Sequence, residues 1–290
     1  MKRNRKIRGI SMVLALAVLL SVAMPQSVLA KSSKKVKNPA MVTLKANKTY
    51  TKYDITGDGK ADKIKISTGK AYYDVYEKLT VTVNGKKVLC DKSSYFRVEA
   101  KLCTLKNGKV FLYLYNPFQN YDATVCGLYR YQNGKLVQSV DLLQVCGVGD
   151  TGYHTYGDVL SVKGNKITLQ SYQINYQMGA LVTAFEYTYS KGKLIPDNKA
   201  KVFTVWSAKD NNGKLTAAYK INVYKKTDCK TKAFTLKKNQ KIVVTGIYCK
   251  SGKMFAKVKR LSDGKFGYIK CINDYPFKKG EPFKEIVYGG

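Results

Sequence analysis

Val81-Thr82-Val83-Asn84-Gly85-Lys86-Lys87-Val88 reads as two short strands joined by a two-residue turn. Asn-Gly accepts the positive φ that a tight hairpin turn demands, and β-branched residues alternate before it. The same hairpin is written twice more, as Tyr129-Arg130-Tyr131-Gln132-Asn133-Gly134-Lys135-Leu136 and as Tyr187-Thr188-Tyr189-Ser190-Lys191-Gly192-Lys193-Leu194. Its central glycines, 85, 134 and 192, lie 49 and then 58 residues apart. A strand-like run precedes each copy, at 63–67, 110–115 and 167–172. Tyr, Val, Thr and Ile are abundant, proline is rare, and no segment beyond the N-terminal one repeats with the helical period. The expected fold is therefore all-β and antiparallel.

Units of several antiparallel strands at such a period build blades, but three units are too few to close an ordinary propeller. For residues 41–207 the expectation is a blade-like β-repeat domain, either a partial propeller or a large sheet folded on itself. Within it lies Asp54-Ile55-Thr56-Gly57-Asp58-Gly59-Lys60-Ala61-Asp62, a cluster of acids in a chain of net charge +33. Asp54, Thr56, Asp58, the carbonyl of Lys60 and Asp62 fall at the offsets of a calcium loop, since a hard cation takes several oxygens at such spacing. Lys65 stands where an EF-hand needs its bidentate Glu, and 63–67 alternates like a strand, so the loop belongs to a β scaffold. The stretch resembles the Asp-x-x-Gly-Asp-Gly-x-x-Asp loops of FG-GAP-type propeller blades, with Thr56 replacing an acid or amide at the third position. That resemblance implies Ca2+; an ordinary Asp-Gly turn is the alternative.

Residues 1–30 carry Lys2, Arg3, Arg5, Lys6 and Arg8 ahead of an apolar run, and Val28-Leu29-Ala30 suits a cleavage site. The expectation is a secreted chain starting at Lys31, with a basic flexible segment at 31–40 and no membrane span in the mature chain. Removing five basic residues leaves +28, and Arg97, Arg130 and Arg260 are the only arginines beyond the signal. Lysine is a hydrated point charge, so the charge favours diffuse attraction to anionic wall polymers over specific nucleic-acid readout. A solvated coat that keeps the protein soluble is the alternative. Seven cysteines follow the signal, an odd number that leaves at least one thiol unpaired within the chain. A chain of about 260 residues has core enough not to require disulfides.

The last third changes pattern. Ile221-Asn222-Val223-Tyr224, then Leu236-Lys237-Lys238-Asn239-Gln240-Lys241-Ile242-Val243, then Phe255-Ala256-Lys257-Val258 and Asp263-Gly264-Lys265-Phe266-Gly267-Tyr268-Ile269 stand in the order of a bacterial SH3-like (SH3b) domain. The resemblance covers residues 215–275, followed by a tail at 276–290, and a polar linker at 208–214 precedes it. It implies an SH3-like barrel that contacts peptidoglycan or peptide through Tyr224, Phe255 and Tyr268. Tyr224 replaces a frequent Arg, and Phe255 and Tyr268 replace frequent Trp. The alternative use of such a barrel is as a spacer or internal packing partner.

Exported proteins with such modules are often wall hydrolases, and the residues argue against one here. A cysteine nucleophile needs a His, and only His154 exists, with Cys146 its nearest thiol in sequence. Glu77, Glu99 and Glu186 are the acids weighed for a paired-carboxylate mechanism, without a motif to place them. The expectation is no enzyme. Runs such as Leu112-Tyr113-Leu114-Tyr115 read as packing residues first and as a sugar platform second, and Trp206 is expected to be buried. The function expected is non-catalytic binding at the cell envelope, or an accessory role for another secreted factor.

Overall fold

The computed structural model describes residues 35–118, 123–143, 153–175, 177–205, 213–250, 253–271 and 279–286. The expected signal segment, Cys146, Trp206 and most of the 208–214 linker lie outside the described residues. Among these residues the fold is all-β: there is no helix, and every strand pairing is antiparallel.

In chain order, β1 (Met41–Thr43) is followed by β2 (Thr49–Tyr53) and β3 (Asp62–Thr68), then a small hairpin of β4 (Ala71–Tyr72) and β5 (Val75–Tyr76), then β6 (Leu79–Val83) and β7 (Lys86–Asp91). Strands β2, β3, β6 and β7 form a four-stranded sheet in that order. The chain continues with β8 (Glu99–Thr104), β9 (Val110–Pro117), β10 (Ala123–Gln132) and β11 (Lys135–Asp141). These join β1 in a five-stranded sheet ordered β1-β8-β9-β10-β11. Next come β12 (Tyr153–Lys163), β13 (Lys166–Asn175), β14 (Gly179–Ser190) and β15 (Lys193–Val205), and finally β16 (Lys214–Thr216), β17 (Ile221–Tyr224), β18 (Lys232–Leu236), β19 (Lys241–Lys250), β20 (Lys253–Arg260) and β21 (Phe266–Cys271). All ten form one sheet ordered β12-β13-β14-β15-β19-β20-β21-β17-β18, with β16 beside β19.

The three repeated motifs are three hairpins of one kind. Val83 faces Lys86, Gln132 faces Lys135 and Ser190 faces Lys193. Their turn residues all have positive φ: 50° and 80° at Asn84-Gly85, 49° and 79° at Asn133-Gly134, 48° and 84° at Lys191-Gly192. Both central residues of such a turn must be left-handed, which favours Asn and Gly there. The upstream runs supply third strands, β3 on β6, β9 on β10 and β13 on β14. Each meander stands in a different sheet.

The five-stranded sheet is the middle layer, and β9 shows why. Val110, Leu112 and Leu114 join the core beneath the four-stranded sheet, with Ile64, Ile66 and Val81. Phe111, Tyr113 and Tyr115 join the core beneath the ten-stranded sheet, with Leu169, Phe185 and Ile247. A strand covered on both faces reads as a continuous apolar run without alternation. Tyr113 and Tyr115 are thus core residues, not a platform for sugars.

Polar contacts tie the layers together. Lys101 on β8 donates to both carboxylate oxygens of Asp158 on β12 at 2.7 Å and to the Val159 carbonyl at 3.1 Å. The Tyr113 hydroxyl donates to the Gly157 carbonyl, and Arg130 reaches the Tyr189 hydroxyl and the Gly192 carbonyl, each at 3.2 Å. Val36–Gly290 forms one compact unit. Residues on both sides of the expected linker share one sheet, through Lys199 opposite Tyr248 and Ala200 opposite Ile247, and one core. The segment expected to be free at 31–40 is held from Val36 onward: the Val36 N–H donates to the Gly59 carbonyl at 2.9 Å, and the Asn38 side chain bonds both backbone groups of Asp54.

Candidate functional sites

The acidic loop connects β2 to β3 and folds around its own carboxylates. Asp54 is 6 % exposed and Asp62 2 %. The Gly57 N–H donates to Asp54 Oδ1 at 2.6 Å and the Gly59 N–H to Asp54 Oδ2 at 2.7 Å. Those amides reach inward because Gly57 and Gly59 take φ of 80° and 87°. Asp62 Oδ2 accepts from the Ile55 and Thr56 N–H groups at 2.8 and 2.9 Å, and its Oδ1 from the Asn84 side chain at 2.6 Å. The Thr56 hydroxyl donates to Asp54 Oδ1 at 3.2 Å. Asp58 is exposed and accepts from the Lys60 N–H at 2.8 Å.

Of the five expected calcium ligands, Asp54, Thr56 and Asp62 are brought together, while Asp58 and Lys60 form the outer rim. No group of three or more acids, thiols or imidazoles among the described residues is placed to hold a metal ion. The buried carboxylates accept hydrogen bonds from backbone amides and from the Asn84 side chain, which offset the cost of burying an acid.

The second site is the outer face of the C-terminal strands. Ile247, Cys249, Met254, Ala256, Ile269 and Val223 point into the core. Their neighbours in sequence therefore point away from it, because successive side chains in a strand alternate. Directly opposed residues across these strands make two rows. One runs Lys199–Tyr248–Phe255–Lys270 across β15, β19, β20 and β21. The other runs Lys257–Tyr268–Tyr224–Lys232 across β20, β21, β17 and β18, past a bulge before Lys232. Each row is two aromatics flanked by lysines. The Tyr248 and Tyr268 rings meet edge to face at 5.2 Å and join the rows. Burial, and then the hydrogen bond and charge of Tyr248, raise the Tyr268 hydroxyl above its ordinary pKa.

Lys199 Nζ lies 5.8 Å from the Tyr248 ring centre, and Lys257 and Lys259 lie 5.3 and 5.7 Å from that of Phe266, which is exposed beside them. Such pairing orders the ammonium groups. Tyr224 and Tyr268 are thus adjacent and half-buried, as a contact surface requires, whereas Phe255, in the neighbouring row, is 4 % exposed and is therefore covered by its surroundings. Lys257 and Phe266 belong to the quoted SH3b-like pattern without an assigned contact role, and Lys199, Tyr248 and Lys270 carry no motif. Their period-2 alternation with core residues was the available signal, and only strand register shows that they align.

Two of the acids weighed for catalysis lie in different sheets, each in an ion pair of its own. Glu99 pairs with Arg97 on the middle sheet, and Glu186 with Lys166 on the ten-stranded one. Cys103, Cys126 and Cys271 are buried, and burial pushes each thiol up to about 12, which suppresses the nucleophilic thiolate. His154 falls on β12, and its side chain lies outside the described residues. Comparison of the chain with protein-family models, with curated proteins and with solved structures returns no match.

Proposed function

We propose that this chain is an exported, non-catalytic binding protein of the cell envelope, whose outer face on β17–β21 contacts peptidoglycan or its peptide. The paired Tyr224 and Tyr268, continued by Tyr248 and flanked by Lys199, Lys257 and Lys270, carry the reading. Half-buried tyrosines offer flat apolar area with a polar rim, and ordered lysines complement the carboxylates of a wall peptide. In this reading β16–β21 are an SH3-like module and the three stacked meanders are blades of an open propeller. The lysine coat adds attraction to anionic wall polymers, and Ca2+ stabilises the 54–62 loop without organising it.

The test is co-sedimentation of the intact chain with purified wall sacculi, with the supernatant assayed for released fragments. Binding without release is expected. Tyr268→Ser and the surface double variant Lys199→Gln/Lys257→Gln should each weaken it, the latter without disturbing the core. Release of muropeptides, or unchanged binding by both variants, overturns the assignment.

A second reading, contact with another secreted protein, draws on the β4–β5 hairpin. Tyr72 and Tyr73 stand 74 % and 85 % exposed at its tip, with rings edge to face at 4.5 Å. Tyr72→Ser/Tyr73→Ser should leave retention on sacculi unchanged, and should lower co-precipitation of another secreted protein only if the hairpin makes that contact.

A further inference from the structure

Strands β1 and β2 are the end strands of the two sheets that pack over the core containing Leu44 and Ile64. Where they meet, a surface cleft of about 410 Å³ opens, lined by three lysines, three threonines, Tyr50 and Tyr53. None of these eight residues is acidic. The adjoining acid, Asp54, has both oxygens occupied by the Gly57 and Gly59 amides. Lys48 Nζ lies 5.6 Å from the Tyr50 ring centre and Lys52 Nζ 5.5 Å from that of Tyr53, and the two rings are 6.0 Å apart. The Lys45 N–H donates to the Tyr50 hydroxyl at 2.7 Å, which fixes the first ring across the cleft. Ammonium groups held over rings have lost part of their rotamer freedom before a ligand arrives, so less ordering entropy opposes binding.

From these observations we propose that the cleft binds an extended polyol phosphodiester chain, with phosphates on Lys45, Lys48 and Lys52 and polyol hydroxyls on the threonines. Lys48 lies just before β2 and Lys52 four residues further on, so at the rise of an extended chain their Cα atoms stand roughly 13 Å apart. One phosphate does not span that distance; a chain with repeated charges does. Nucleic acid is the less favoured ligand, because the cleft has no arginine for bidentate contacts and one face of each tyrosine ring already carries an ammonium group. The inference rests on the envelope reading above and names the polymer class for a site distinct from the β17–β21 face.

The test is titration calorimetry of the intact chain with purified poly(glycerol phosphate) at 0.15 M salt. Lys45→Gln/Lys48→Gln/Lys52→Gln is compared with Lys86→Gln/Lys87→Gln/Lys135→Gln, which removes the same charge from two exposed hairpins. The cleft variant should bind at least about tenfold more weakly, and the control within about threefold of the parent, because a diffuse coat responds to net charge and a site to position. Inorganic phosphate at equal phosphorus should not compete, and a DNA oligonucleotide should compete poorly. Equal losses in the two variants, effective competition by phosphate or DNA, or no binding by the parent chain overturns the site. Sacculi stripped of anionic polymer separate the two assignments. There the cleft variant should bind like the parent while Tyr268→Ser does not, so either can fail alone.

Discussion

A Cβ on Gly267 would lie 2.5 Å from Val223 Cγ1 and 2.8 Å from the Tyr224 carbonyl oxygen, so only glycine lets β21 approach β17 closely enough for Tyr268 to stand opposite Tyr224. Gly267→Ala should cost about 1–3 kcal/mol through overpacking against backbone, read as a lower denaturant midpoint. Binding to sacculi should fall with it, since the same approach builds the contact face. The opposite sign is expected at the β4–β5 turn. Tyr73 and Asp74 have φ of 47° and 61°, left-handed values that bulky L-residues resist, where the three repeated hairpins place glycine second in the turn. Tyr73→Asn/Asp74→Gly should raise stability by about 1 kcal/mol in the same denaturation measurement. If instead stability falls, the tyrosine ring contributes packing that outweighs the turn strain.

The 54–62 loop shows how an element supplies hydrogen-bond donors to its own buried carboxylates. Asp54→Ala leaves the Gly57 and Gly59 amides without their acceptor inside a buried turn and should cost about 2–4 kcal/mol, in calcium and in chelator alike. Asp58 is exposed and organises only the Lys60 amide, so Asp58→Ala should be nearly neutral in chelator. Calcium at ten times its dissociation constant adds about 1.4 kcal/mol to a site present only in the folded chain. That increment, measured by thermal melting, should vanish in Asp58→Ala and persist in the parent. An identical melting temperature of the parent in calcium and chelator would show that the amides are the loop's sole partners.

Across the whole molecule, one core runs from the middle sheet into the strands on both sides of residues 206–212, and β15 pairs with β19. A cut in that linker should therefore leave the pieces associated, melting in a single transition with the intact chain's midpoint nearly preserved. Two separate transitions would show that the 215–275 region is an independent domain. Alkaline pH probes the same core. An unfolded thiol ionises near 9, whereas Cys103, Cys126 and Cys271 stay protonated to about 12 in the folded state. The unfolded chain then binds fewer protons above pH 9, so stability is full below that value and falls as pH rises from 9 towards 12. Iodoacetamide at neutral pH should label exposed Cys90 first and leave these three unmodified until the chain unfolds.

What the chain determined by itself is local. Asn84-Gly85, Asn133-Gly134 and Lys191-Gly192 specify left-handed turn residues whatever surrounds them, and so the three hairpins, their upstream strands and the all-β class were legible. Only the tertiary structure decided which sheet each meander joins, because backbone hydrogen bonds between distant strands carry no residue code beyond alternation. It also decided that Tyr113 is core while Tyr72 is exposed, since burial on a second face depends on which layer arrives to cover it. The acids of the 54–62 loop were visible as a cluster, but their amide partners depend on φ at Gly57 and Gly59 and on Asn84 from another hairpin. The two aromatic rows arise the same way. Tyr224, Tyr248 and Tyr268 come from three strands whose register, set by the packing of their opposite faces, brings them side by side.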